Sequence, residues 1–344
     1  MTATFLDLVD LASERLGGAV VAANDEFFAP KENLIKPDAA VWREGEYTER
    51  GKWMDGWETR RRRDSGDHDW CMLRLGVRGA VRGVDVDTSF FTGNYPESCA
   101  LDACDLPAAA SPDDLLRAAW VEILPRTLLA GDSHNVVALE GAPPATHLRL
   151  RIFPDGGVAR LRAYGDVAAD WVRLRRQGDV DLAAAAHGGV VVACSDMFFG
   201  SRHNLIMPGD ATHMGDGWET KRRRGPGHEW TIIRLGADGT IRRIEVDTRH
   251  FKGNAPGACS LEALRLHGSS VAQGKPVSDG SSVAEGKLPD GADWRELLPR
   301  TPLQPHARHA FEEELREIGD VTHVRFNIFP DGGVGRLRLF GRPG

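Results

Sequence analysis

Two short segments of this chain combine an acid, a glycine, a tryptophan, a glutamate and a basic run: GKWMDGWETRRRR at 51–63 and HMGDGWETKRRR at 213–224. Guanidinium is the side-chain group best shaped to hold a carboxylate, through two parallel hydrogen bonds. If the first run is extended, Arg60 and Arg62 face one way and Arg61 and Arg63 the other. Two uses follow: internal ion pairs with the nearby Asp55, Glu58, Asp216 and Glu219, or a clamp on an anionic ligand. Gly56 and Gly217 permit a tight turn or close backbone approach. Trp57 and Trp218 are large enough to wall a pocket, although filling the core is the better fit; Trp218 is kept as a candidate contact. Glu58 and Glu219 read more readily as partners that orient guanidinium groups than as free acids.

Histidines distinguish the two copies. His68 corresponds to His228, His134 to His309 and His147 to His323, but TSFFTGN has Phe90 and Thr92 where TRHFKGN has His250 and Lys252. A histidine titrates near neutrality and can pass protons, and an adjacent lysine can stabilise an anion. His250 is preferred because Asp247, Lys252 and Asn254 surround it in one segment. The pair in HARH at 306–309 would share a face only on a helix, and no third metal ligand is recognisable nearby. Neither a GxSxG elbow nor a phosphate-binding glycine loop is present.

The elements that must position these residues are written twice. GGAVVAANDEFFAPKENLIKP (17–37) matches GGVVVACSDMFFGSRHNLIMP (188–208), VDVDTSFFTGN answers IEVDTRHFKGN, and THLRLRIFPDGGVARLR answers THVRFNIFPDGGVGRLR, in unchanged order. Two homologous halves follow, 1–168 and 169–344. Asn254 to Arg300 is longer than Asn94 to Arg126 because of a Gly- and Pro-rich surface loop at about 267–292. Short segments rich in β-branched and aromatic residues, separated by Gly, Asp, Asn and Pro, predict strands. Helix is expected only in TFLDLVDLASERL, SPDDLLRAAW and HARHAFEEELREI. The fold class is mainly β: two tandem jelly-roll sandwiches with a few short peripheral helices.

With 344 residues, 27% charged and 41% hydrophobic, the composition is that of a globular protein, and no apolar run approaches a membrane span. A net charge of −7 disfavours nucleic acid as a partner. Five cysteines without a CxxC pair, behind a start that lacks the pattern of a secretory signal, predict reduced thiols in the cytoplasm. Structural zinc is not expected, and the residues by themselves call for no metal or other cofactor.

NDEFFAPKENLIKP, MDGWETRRRR, HDW, VDVDTSFFTGNYPE and RIFPDGGVARLR, each with its second copy, resemble the allantoicase family over nearly the whole chain. The resemblance implies a pair of galactose-binding-like jelly rolls, hydrolysis of allantoate to ureidoglycolate and urea, a homo-oligomer, and help from a divalent ion such as manganese. Allantoate is a small carboxylate whose central carbon carries two ureido groups. The bond broken joins that sp3 carbon to a ureido nitrogen, so no Ser or Cys nucleophile is needed.

On that reading Arg222 or Arg223 holds the carboxylate and His250 moves protons, while Lys252, Asn254 and Glu219 position ureido groups. Asp216 and His228 complete the candidate catalytic set, with Trp218, Arg60, Arg62 and Glu58 as further substrate contacts. The Phe90/His250 difference favours one competent site, in the second half or shared between halves, over two equal ones. A tandem carbohydrate-binding module is the rival, weakened by motifs that recur inside apparent strands and by the missing signal. His250→Asn is expected to lower turnover about 100-fold if His250 transfers protons in the slow step; an unchanged rate at saturating allantoate removes it from that role.

Overall fold

The computed structural model describes residues 4–63, 65–266 and 292–344. The expected Gly- and Pro-rich loop at about 267–292 lies, but for Ala292, outside the described residues. The chain divides into two compact units, Met1–Ala168 and Ala169–Gly344, each a jelly-roll β-sandwich. In the first unit the strands are β1 (Val9–Asp10), β2 (Ala19–Ala23), β3 (Tyr47–Thr48), β4 (Gly51–Lys52), β5 (Trp57–Glu58), β6 (Asp69–Asp87), β7 (Ser98–Cys104), β8 (Val121–Leu128), β9 (His134–Ala138), β10 (Ala145–Phe153), β11 (Gly157–Val158) and β12 (Arg160–Val167). The second unit supplies β13 (Val180–Asp181), β14 (Val190–Cys194), β15 (Trp218–Glu219), β16 (Glu229–Asp247), β17 (Ala258–Leu264), β18 (Arg295–Pro302), β19 (Arg308–Phe311), β20 (Val321–Phe329), β21 (Gly333–Val334) and β22 (Arg336–Pro343). Among its described residues it has no counterpart of the β3–β4 hairpin.

One strand organises each unit. Residues Cys71–Arg74 of β6 lie between β10 and β2, whereas Gly83–Asp87 lie between β12 and β9, all antiparallel. A single strand thus serves both layers of the sandwich. Where it passes from one to the other it carries Gly76, at which a Cβ would stand 2.6 Å from Leu16 O, so only glycine fits. Inward residues of the paired strands, among them Leu73, Val84, Leu148, Leu150, Ile152 and Leu161, are fully buried. Each such side chain contributes roughly 1.5–3 kcal/mol, which sets the register because a one-residue slip would turn them outward.

Two of the three expected helices are corrected. TFLDLVDLASERL breaks into 3-10 turns at Thr4–Asp7 and Glu14–Leu16 around β1, because Val9 and Asp10 pair with Gly165 and Tyr164 of β12. HARHAFEEELREI contributes β19, which pairs with Ile244–Asp247 of β16; sheet pairing overrides the helical propensity of its glutamates. Only SPDDLLRAAW starts a helix, α1 (Pro112–Leu116), opened by a capping box between Ser111 and Asp114. A second short helix, α2 (Trp171–Arg175), opens the second unit.

The acid of each DGWE motif has a structural task. Arg160 at the start of β12 is 2% exposed, and its Nη2 donates to Asp55 Oδ2 at 2.8 Å while Nη1 and Nε reach Asp55 O and Asp38 O. Arg336 does the same for Asp216. Burial pushes the Asp55 carboxyl up, but the Arg160 and Val41 hydrogen bonds with the Arg160 and Lys36 charges pull it below its ordinary value. Arg160→Ala should cost about 3–5 kcal/mol in urea denaturation, because Asp55 is left buried without its cation. Since the folded pKa of Asp55 is depressed, its contribution is present above the unfolded value and should fade as pH falls through the folded one.

Candidate active site

Although β5 is only two residues long, it fixes the position of Glu58. Glu58 pairs with Gly157 of β11 on one side and bridges Ala29 on the other. Its Oε1 accepts from Asn94 Nδ2 at 2.7 Å. Asn94 is held by the PDGG turn: Gly157 N–H donates to Asn94 O at 2.8 Å. Gly156, at φ +138°, passes so near that a Cβ there would stand 2.7 Å from the same oxygen. Trp57 is completely buried, and its Nε1 donates to Asp25 O at 2.8 Å, which anchors the Asn24–Phe28 segment. Burial raises the Glu58 carboxyl above its ordinary pKa, opposed by the Asn94 hydrogen bond.

Glu58 borders a cleft of about 1180 Å³ walled by the Asn24–Phe28 segment, the arginine run, Gly93–Tyr95 and the PDGG turn. The run is not regular strand, yet its side chains alternate in fate. Arg60 Nε donates to Asp25 Oδ2 at 2.7 Å. Arg62 Nη1 donates to Asp69 Oδ1 at 2.5 Å, and its backbone N–H to Asp155 Oδ2 at 2.7 Å. Arg60 and Arg62, expected as substrate contacts, are therefore committed to carboxylates of the fold. Arg61 and Arg63 are exposed in the cleft, with no hydrogen-bond or ion-pair partner among the described residues.

The second unit repeats the framework with changes. Glu219 accepts from Asn254 Nδ2, so these two expected residues do meet. Lys221 replaces Arg60 and lies 4.0 Å from Asp196, with its ammonium 4.4 Å from the Phe198 ring centre. Of the two arginines expected for the carboxylate, Arg223 is taken by Glu229 at 2.8 Å, while Arg222 is exposed without a partner among the described residues. Lys252 is likewise exposed. Asp216 accepts from Arg336 Nη2 at 3.0 Å and Thr212 N at 3.1 Å, beneath the motif. Trp218 is a core residue: it is fully buried with Nε1 donating to Asp196 O. His228 packs on Phe329 with Nε2 at 3.2 Å from Asn327 Oδ1. His250, at φ +73°, has its Nε2 at 2.8 Å from Ala211 O and its N–H on His306 Nδ1. Because β19 is a strand, His306 and His309 do not share a helical face, and His309 Nε2 accepts from Gln304 N.

Both units match the family model described as the allantoicase repeat, over residues 9–168 and 180–344. The chain belongs to the allantoicase family. It is 50% identical over 341 residues to a probable allantoicase of Pseudomonas aeruginosa, covering 99% of this chain and 98% of that one. A probable allantoicase 1 of Burkholderia mallei is 47% identical over 333 residues, covering 97% and 94%. Among solved structures, the allantoicase of Saccharomyces cerevisiae superposes with a TM-score of 0.79 at 34% identity, covering 97% of this chain and 92% of that one.

The donors present do not fit the manganese ion that the allantoicase resemblance suggests. Among the described residues no group of three or more His, Cys, Asp or Glu side chains is placed to hold a metal. Asp25 and Asp69, two of the carboxylates that line the cleft, are ion-paired with Arg60 and Arg62, and the Arg61 and Arg63 guanidiniums that line the same cleft repel a cation. Arg61 and Arg63 were legible as one face of an extended run, but the sequence did not say which face the internal acids would take. Eighteen positions separate Pro37 from Asp55 and eight separate Pro208 from Asp216, so the first unit carries ten extra residues near the site. Arg61→Ala should leave urea-denaturation stability within about 0.5 kcal/mol of wild type. Arg62→Ala should cost about 3 kcal/mol or more, because it strips the cation from the buried Asp69.

Proposed function

We infer that this chain hydrolyses allantoate to ureidoglycolate and urea in purine breakdown, and that the cleft of the first unit carries the reaction. One observation supports that placement. Two guanidiniums without a partner among the described residues, Arg61 and Arg63, share a cleft with Glu58, a carboxyl whose pKa burial has raised. The guanidiniums supply what a small carboxylate needs, and the carboxyl, raised by burial, keeps its proton to higher pH than an ordinary glutamate and so suits the role of an acid.

In this reading Arg61 and Arg63 hold the substrate carboxylate. Glu58, in its protonated form, donates to the nitrogen of the departing ureido group. The bond from that nitrogen to the central carbon breaks with its electron pair going to the nitrogen, and urea leaves. The lone pair of the retained ureido nitrogen then stabilises the carbon as an acyliminium. Water adds to the same carbon and gives its proton to the Glu58 carboxylate, which restores the acid and yields ureidoglycolate. Asn94 aims Glu58 throughout, through the bond it already makes at 2.7 Å. No step is routed through a metal ion.

Purified protein should release urea from allantoate; sugar binding without urea release would return the carbohydrate-module reading. Glu58→Gln should lower kcat about 100-fold or more. Arg61→Ala should raise KM, with a loss of roughly 1.5–3 kcal/mol for a charged hydrogen-bond partner. Because the competent form of Glu58 is protonated and its pKa is raised, activity should fall as pH rises through that value, and the Gln variant should lack this limb. His250→Asn and Glu219→Gln decide between the units: loss of turnover in these, with Glu58→Gln still active, moves the reaction to the second half.

A further inference from the structure

The ten extra residues of the first unit fold over one edge of the Glu58 site. Their hairpin, β3 and β4, pairs Tyr47 with Lys52 and Thr48 with Gly51. It is tied down at both ends: Val41 N–H donates to Asp55 Oδ2 at 3.0 Å, and Arg50 Nη1 to Phe27 O at 3.0 Å. This places Trp42 against Phe90, with ring centres 5.9 Å apart and planes at 33°, and Lys52 Nζ lies 4.1 Å from the centre of the Trp42 ring. Phe90 stands at φ +69°, a conformation that bulky residues rarely adopt, and its N–H is held by Asp132 Oδ1 at 2.7 Å.

These rings wall a second space of about 780 Å³, which also touches Met54, Glu58 and Asn94. The Glu58–Asn94 pair therefore borders both spaces: the arginine-lined cleft on one side and an aromatic compartment on the other. A carboxylate gains nothing from an aromatic wall. A ureido group does, because it is planar and uncharged, presents a π face to a ring, and carries N–H donors and an oxygen at its edge. Asp132 and Lys52, which line the same space, offer an acceptor and a donor.

We propose that the Trp42–Phe90 compartment receives the ureido group that Glu58 protonates, and that the inserted segment carrying Trp42 makes the first unit the competent one. This rests on the placement of the reaction in the first-unit cleft. Urea then departs through the aromatic side while the carboxylate stays on the arginines. The second unit has His250 at the position of Phe90, with its ring on Ala211 O, and lacks the segment that supplies Trp42.

Calorimetric binding of two ligands tests this without turnover: ureidoacetate, with one carboxylate and one ureido group, and glycolate, a carboxylate with none. Trp42→Ala should weaken ureidoacetate at least tenfold and glycolate less than twofold, whereas Arg61→Ala should weaken both. Trp42 is 40% exposed, so its truncation opens no core cavity. Phe90→His, the residue of the second unit, keeps a ring at the other wall and should show the same selective loss. A loss for ureidoacetate no larger than that for glycolate, in both variants, overturns the proposal. Failure of the functional reading shows separately, as no urea released from allantoate by the wild-type chain.

Discussion

The buried ion pair between Arg160 and Asp55 is the constraint on which the first-unit site depends. It joins the first residue of a core strand to the acid that opens the DGWE motif, and through its remaining donors it gathers the carbonyls of Asp38 and Asp55. A guanidinium this far from water is tolerable only when nearly every donor is met. Those bonds dictate where the motif backbone runs. With Asp55 fixed, Trp57 enters the core, and Glu58 is left between Ala29 and Gly157, lining the cleft. The second unit keeps the same arrangement with Arg336 and Asp216, so this scaffold survives even where the chemistry-bearing residues have changed.

Much of this was readable from residues alone, and the reasons differ from place to place. The duplication, the jelly rolls and the family are carried by motifs repeated in order, which no local ambiguity disturbs. The alternation of the arginine run was legible because extended backbone sends neighbouring side chains opposite ways. Which face was free depended on Asp25 and Asp69, acids 35 and 7 residues from their partners. That is a tertiary fact. Trp42 gave no signal at all, because a lone tryptophan in a polar segment has no periodicity to place it, and its partner Phe90 is brought to it only by the loop geometry at Asp132.

The helix in HARHAFEEELREI failed for a related reason. Its glutamates favour helix locally, but Arg308–Phe311 find an open edge at Ile244–Asp247 and pair there, and four ladder positions outweigh a short stretch of propensity. The preference for His250 rested on difference between copies, a sound guide to divergence that does not say which copy changed. The structure gives the ring of His250 a carbonyl partner in its own loop and gives Phe90 an aromatic neighbour.

The strand shared by both layers has a consequence for how such a chain can change over time. β6 and β16 are each 19 residues long, and each is hydrogen-bonded to four other strands. An insertion or deletion within either would shift alternation in two layers at once and invert buried and exposed faces throughout the unit. Length drift is thereby expelled to connections outside this measuring rod, and the two halves differ in length before Asp55 and after Asn254 while the rod itself is unchanged. A gene duplication constrained in this way can acquire novelty only at its rims, which is where the two copies differ by the β3–β4 hairpin.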